Sequence, residues 1–98
     1  MAQYDIHRLA PDILVVDCQS NYIRLFDTRL VIPLMPPGPD AEPVTRLQPL
    51  LDVEGQPLIL VTHLLASVPT SELGRPLFNL GEHGPSIDAA LDMIITGF

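Results

Sequence analysis

Residues 85–98 read PSIDAALDMIITGF, and they decide the fold class because no other stretch carries a helical period. Ile87, Ala90, Leu91, Ile94, Ile95 and Phe98 recur at spacings of three and four, which places them on one apolar stripe. Ser86 is the expected N-cap, and Asp88 in the first turn suits the positive end of the helix dipole. A helix of about eleven residues is marginal alone in water, so this one must dock on something. The surface it docks on has to come from the preceding residues, and those read as strands and turns.

Working outward, residues 3–8, QYDIHR, set Tyr4 and Ile6 against Asp5 and His7, the period-two alternation of a half-buried strand. Ala10, Pro11 and Asp12 give a turn. Residues 13–19, ILVVDCQ, form a second strand with Leu14, Val16 and Cys18 on one face, joined to the first as a hairpin. Residues 20–28, SNYIRLFDT, are less regular and read as a loop or short hairpin, with Tyr22, Ile23, Leu25 and Phe26 among polar neighbours. Residues 29–34, RLVIPL, are a β-branched run; Pro33 cannot donate to a ladder, which predicts an edge or a bulge there.

Residues 35–46, MPPGPDAEPVTR, hold four prolines and read as a stiff surface loop. Residues 47–53 and 57–64 follow as two strands joined by Glu54, Gly55 and Gln56, a hairpin signal. The second is apolar enough to be the central strand. Residues 66–85 read as a long, broken connection with one helical turn near 71–73. No internal repeat or low-complexity tract interrupts this pattern. The expectation is about five strands followed by one C-terminal helix, a mainly β chain.

At 98 residues and 47% apolar, the chain is expected to form a single domain, 1–98, with a core small enough that a homodimer would help it. The net charge of -7, with five arginines and no lysine, argues against nucleic acid or an anionic membrane surface as partner. It favours a protein partner. A single cysteine excludes an internal disulfide. No secretory signal layout or bilayer-length apolar run is present, which gives a cytoplasmic expectation.

Catalytic chemistry is not signalled. His7, His63 and His83 form no ligand pair, so no metal site is expected, and the histidines read as exposed or strand-face residues. Ser67, Ser71, His63 and Asp52 supply the types for a nucleophilic triad but no nucleophile elbow. Gly74, Gly81 and Gly84 make no phosphate cradle. Cys18, in an apolar strand without a neighbouring cation, reads as buried and unreactive. No cofactor is expected and no enzyme.

Three stretches and the closing helix resemble the CcdB family of toxins. LVVDCQSNYI, residues 14–23, is similar to that family's aspartate-any-glutamine-serine segment at the end of its second strand. RLVIPL matches its VIPL strand. HLLASVPTSELG, residues 63–74, carries its ASVP after the longest apolar strand. The resemblance spans nearly the whole chain. It implies a small SH3-like β-barrel with one C-terminal helix, acting as a homodimer. Such toxins bind the A subunit of DNA gyrase and trap it on cleaved DNA, and a cognate CcdA-like antitoxin silences them.

The resemblance also assigns residues. Gyrase contact falls on Tyr22, Ile23, Asp92, Ile95, Thr96, Gly97 and Phe98. The family ends on Trp-Gly-Ile, whereas here Thr96 stands where the tryptophan would be, Gly97 matches, and Phe98 replaces an aliphatic residue. Asp92 replaces an asparagine. A substitute anchor would have to be Phe98 or Ile95. Ile87, Ala90, Leu91 and Ile94 read as barrel-facing core. Two further readings remain open. One is a CcdB-like interaction protein with an altered or lost gyrase activity. The other is a MazF-type endoribonuclease on the same barrel, recruiting Arg24, Arg29 or Arg75. Arg24 and Arg29 are also candidates to pair with acidic antitoxin residues.

Overall fold

The sheet is built outward from a single strand. In the computed structural model, which describes residues 2–23, 26–39 and 41–98, strand β3 (Thr28–Met35) pairs on one side with β2 (Ile13–Asp17). Its other side serves two strands in turn. β6 (Ala66–Pro69) pairs with residues 28–31, and β5 (Gln56–Leu60) with residues 34–35. β1 (Asp5–Ala10) extends the sheet beyond β2, and the two-residue β7 (Phe78–Asn79) lies beyond β1. β4 (Leu50–Val53) forms the opposite end on β5. The seven strands follow the order β4-β5-β3-β2-β1-β7, with β6 branching from β3, and curl into half a barrel. All pairings are antiparallel. The expected mainly β architecture with one C-terminal helix is what forms.

β3, not residues 57–64, is therefore the organising strand. Pro33 neither ends it nor sits at an outer edge. The Leu30 carbonyl accepts from Cys18 N–H, so even-numbered main-chain groups of β3 face β2. The Pro33 carbonyl accepts from Val61 N–H, so the imide nitrogen faces the other side, between the stretches covered by β6 and β5. The missing donor costs no ladder bond because it falls where the partner strand changes.

The concave face holds the main core: Ile6, Val16, Ile32 and Leu34 meet Leu51, Val53, Leu58 and Leu60, and Ile87 and Ala90 of the helix α1 (Gly84–Thr96) close it. The convex face is covered as well. Val15 and Val31 pack with Leu73 and half-buried Leu9 and Val68. This second layer corrects the reading of residues 3–8 as a half-buried strand. β1 starts at Asp5, and Asp5, Ile6 and His7 are all buried. His7 is fully enclosed, its Nδ1 donating to the Gly74 carbonyl at 2.9 Å.

The Glu54-Gly55 turn has positive φ at both residues, 50° and 85°, as a two-residue hairpin of the I′ type requires. The stretch read as a broken connection contains β6, β7 and 3-10 turns at Thr70–Glu72 and Gly81–His83. Residues 62–64, read as strand, are a 3-10 turn. The helix starts before Ser86, with Pro in its first positions and His83 at the cap without a side-chain cap bond. Gly84 lies under the Tyr4 ring, where an added Cβ would come within 3.1 Å of ring carbons. Asp88 sits beyond the first turn, where both carboxylate oxygens lie 3.0 Å from the Tyr4 hydroxyl. Slight burial, then that hydrogen bond and charge, raise the Tyr4 phenol above its ordinary value.

Candidate partner-binding site

One apolar stripe on α1 meets two environments. Ile87 and Ala90 are fully buried and Leu91 packs against the main core, whereas Ile94 is only half-buried. One turn further on, Ile95 is 73% exposed and Phe98 is 80% exposed. Gly97 ends the helix in the left-handed region at φ 82°, its N–H donating to the Met93 carbonyl at 3.0 Å. Thr96 turns back on the helix. Its hydroxyl donates to the Asp92 carbonyl at 2.7 Å and accepts from Phe98 N–H at 3.3 Å. Thr96 therefore serves the helix end, and the apolar surface there belongs to Ile95 and Phe98. Asp92 is exposed on the same last turns.

The second patch lies on the loop between β2 and β3. Tyr22 is 95% exposed, Ile23 46% and Phe26 64%. Arg24 and Leu25 lie outside the described residues. What holds this loop is the segment Asp17 to Ser20. Asp17 Oδ2 accepts from Arg29 Nε at 2.7 Å, an ion pair with both side chains buried. Its Oδ1 accepts from Gln19 N–H at 3.0 Å. The Gln19 amide in turn donates to the Ile23 carbonyl at 2.7 Å and accepts from Leu30 N–H at 3.0 Å. Ser20 receives Tyr22 N–H on its hydroxyl and Ile23 N–H on its carbonyl. Arg29 also donates to the Gln19 carbonyl at 3.2 Å. Tyr22 and Ile23 thus stand on a turn tied to a buried charge pair.

Among the described residues, no hydrogen bond or shared core cluster joins Tyr22 and Ile23 to Asp92, Ile95, Thr96, Gly97 or Phe98. Asp17, Gln19 and Ser20 hold the start of this loop, and the sequence by itself gives them no role. Their signal is the aspartate-any-glutamine-serine pattern, which by itself marks family likeness and not a loop anchor. Arg29, expected to be solvated or available to a partner, is committed internally. Its guanidinium is engaged by Asp17 and the Gln19 carbonyl. Arg75 is exposed.

Cys18 also has a cation nearby in Arg29, contrary to expectation, yet burial dominates. Desolvation first, then the Asp17 carboxylate, push its thiol up to about 12. A folded-state value raised above the ordinary 9.0 contributes stability that is complete below pH 9 and is lost as pH rises towards 12. Native protein is expected to resist iodoacetamide at pH 8, with alkylation at least a hundredfold slower than in urea-unfolded chain, measured by mass spectrometry.

Among the described residues, no group of three or more His, Cys, Asp or Glu is placed to hold a metal ion. No helix there is long and apolar enough to cross a membrane. A family model described as CcdB protein matches residues 3–97. The chain belongs to the CcdB family. No individual curated protein gives a significant match. CcdB membership accounts for the curled sheet with its C-terminal helix and points to a toxin of a toxin–antitoxin pair. In this CcdB-family chain the exposed ring of the helix end lies at residue 98, while residue 96 is a threonine bonded to its own helix.

Proposed function

We propose that residues 1–98 act as one toxin domain, a cytoplasmic homodimer that binds the A subunit of DNA gyrase and traps it on cleaved DNA. Ile95 and Phe98 serve as anchors, Asp92, Thr96 and Gly97 shape the helix end, and Tyr22 and Ile23 make a flanking contact. A CcdA-like antitoxin silences the protein. The supporting observation is the exposure of Ile95 and Phe98 at the end of a stripe whose earlier residues are buried. Large apolar groups fixed in water at a helix end are what an interface anchor looks like before it is used. The toxin acts by binding and supplies no catalytic group of its own. Burial of Arg29 disfavours the endoribonuclease alternative.

The test is gyrase-dependent cleavage of supercoiled plasmid with ATP, quenched by detergent and protease. Linear DNA is expected with the intact protein and not with a version lacking residues 95–98. Absence of linear DNA with either protein, using gyrase from the native host, would reject poisoning and leave an interaction protein with another target.

A further inference from the structure

The half-barrel has an unclosed seam, and the seam is where the two ends of the sheet face one another. β4 and β7 are the terminal strands of the order β4-β5-β3-β2-β1-β7, and among the described residues neither has a strand on its outer side. A cavity of about 610 Å³ lies between them, lined by Asp52 and Glu54 from the β4 side and by Leu77, Phe78 and Glu82 from the β7 side. His83 spans one end, its Nε2 donating to the Asp52 carbonyl at 3.1 Å.

Both strands turn main-chain groups into this opening. The hairpin closes at the Val53–Gln56 pair, so one residue earlier the Asp52 N–H and carbonyl point away from β5, the carbonyl already meeting His83 and the N–H open to a further strand. Pro57, opposite Asp52, has no N–H to offer it. On the other side Leu80 N–H donates to the Tyr4 carbonyl, so the main-chain groups of Asn79 point away from β1. Leu77 and Phe78 are exposed apolar side chains beside that edge. Strand edges with outward main-chain groups beside exposed apolar side chains are the elements used when an extended peptide adds to a sheet.

Charge selects the peptide. Asp52, Glu54 and Glu82 are exposed around the cavity, on a chain of net charge -7. A second copy of this chain would bring like carboxylates together and is disfavoured. We propose that the seam between β4 and β7 receives an extended, arginine- or lysine-bearing segment of a protein partner. Its backbone pairs with the open edges and its cationic heads meet Asp52, Glu54 and Glu82. The seam is distinct from the Ile95–Phe98 end of the helix. The seam adjoins the start of α1, and at 1.5 Å per residue the helix carries the chain roughly 20 Å before Phe98.

The probe is a blocked hexapeptide of alternating arginine and valine, titrated into the full chain and followed by amide NMR shifts and fluorescence anisotropy. Shifts are expected at Asp52, Glu54 and residues 77–83, and none with the glutamate–valine hexapeptide. The triple variant Asp52→Asn, Glu54→Gln, Glu82→Gln is expected to bind at least tenfold more weakly. Removing three charges elsewhere, with Asp12→Asn, Glu42→Gln and Glu72→Gln, is expected to change affinity less than twofold. N-methylation of alternate peptide amides, which blocks strand pairing, is expected to abolish binding on one of the two edges. Equal losses in the two triple variants would reduce the attraction to bulk charge and overturn the proposal. So would shifts centred away from the seam, or none at millimolar peptide.

Discussion

Replacing Arg29 by alanine is expected to destabilise the fold by about 3–5 kcal/mol, the usual cost of stranding one member of a buried ion pair. The measurement is a lower urea midpoint at unchanged slope. Asp17 is fully buried, and without Arg29 its Oδ2 loses a 2.7 Å charged hydrogen bond while Oδ1 keeps, among the described residues, only Gln19 N–H. Removing both charges together, with Asp17→Leu and Arg29→Met, is expected to recover most of the loss, since two desolvated charges disappear with their attraction. Loop order will not return with it. Gln19 loses the Arg29 donor in both variants and the Asp17 acceptor in the double one, so hydrogen exchange at Tyr22 and Ile23 should quicken in both. If single and double variants lose the same stability, the cost is one of shape and not of stranded charge.

The second large effect concerns binding alone. Ile95→Ala and Phe98→Ala are each expected to weaken the complex with the A subunit of gyrase by at least about 30-fold, corresponding to about 2 kcal/mol per lost anchor. Isothermal titration calorimetry with the purified gyrase protein measures this. Both side chains are mostly in water, so the stability of each variant should stay within about 0.5 kcal/mol of the parent. Ile87→Ala offers the contrast. It empties a fully buried position on the same stripe and should cost about 2–5 kcal/mol of fold stability. Thr96→Ala, which removes a hydroxyl bonded only to its own helix end among the described residues, should leave affinity within a few-fold. An equal loss at Thr96 would mean that residue 96 keeps the family's anchoring role despite its size.

Part of this architecture is legible in the sequence and part is not. The helix is legible because its apolar residues keep one period for three turns, and the β4–β5 hairpin because Gly55 names its turn. β6 and β7 are not, since four and two residues are too few to show alternation, and prolines and glycines surround them. The central place of β3 is hidden because apolar richness tracks burial, not the number of neighbours. Asp17 and Arg29 read as ordinary polar residues because their pairing spans twelve positions and two strands. For the candidate site, the stripe is visible but the point at which the sheet stops covering it is not. Only the packed structure separates Ile87 from Ile95.

The outer edge of β1 has a consequence for how the protein comes to exist. Its partner there, β7, lies 72 residues later, as the Ile6–Phe78 register shows, and Tyr4 reaches Asp88 across 84 positions. At roughly 5–20 residues per second of synthesis, β1 waits about 4–14 seconds for the segment that covers it. The β1–β2 hairpin can form well before the closing of the sheet. A ribosome stalled before Phe78 therefore holds an open-edged meander, prone to pairing with a neighbouring nascent chain, and not a shortened toxin.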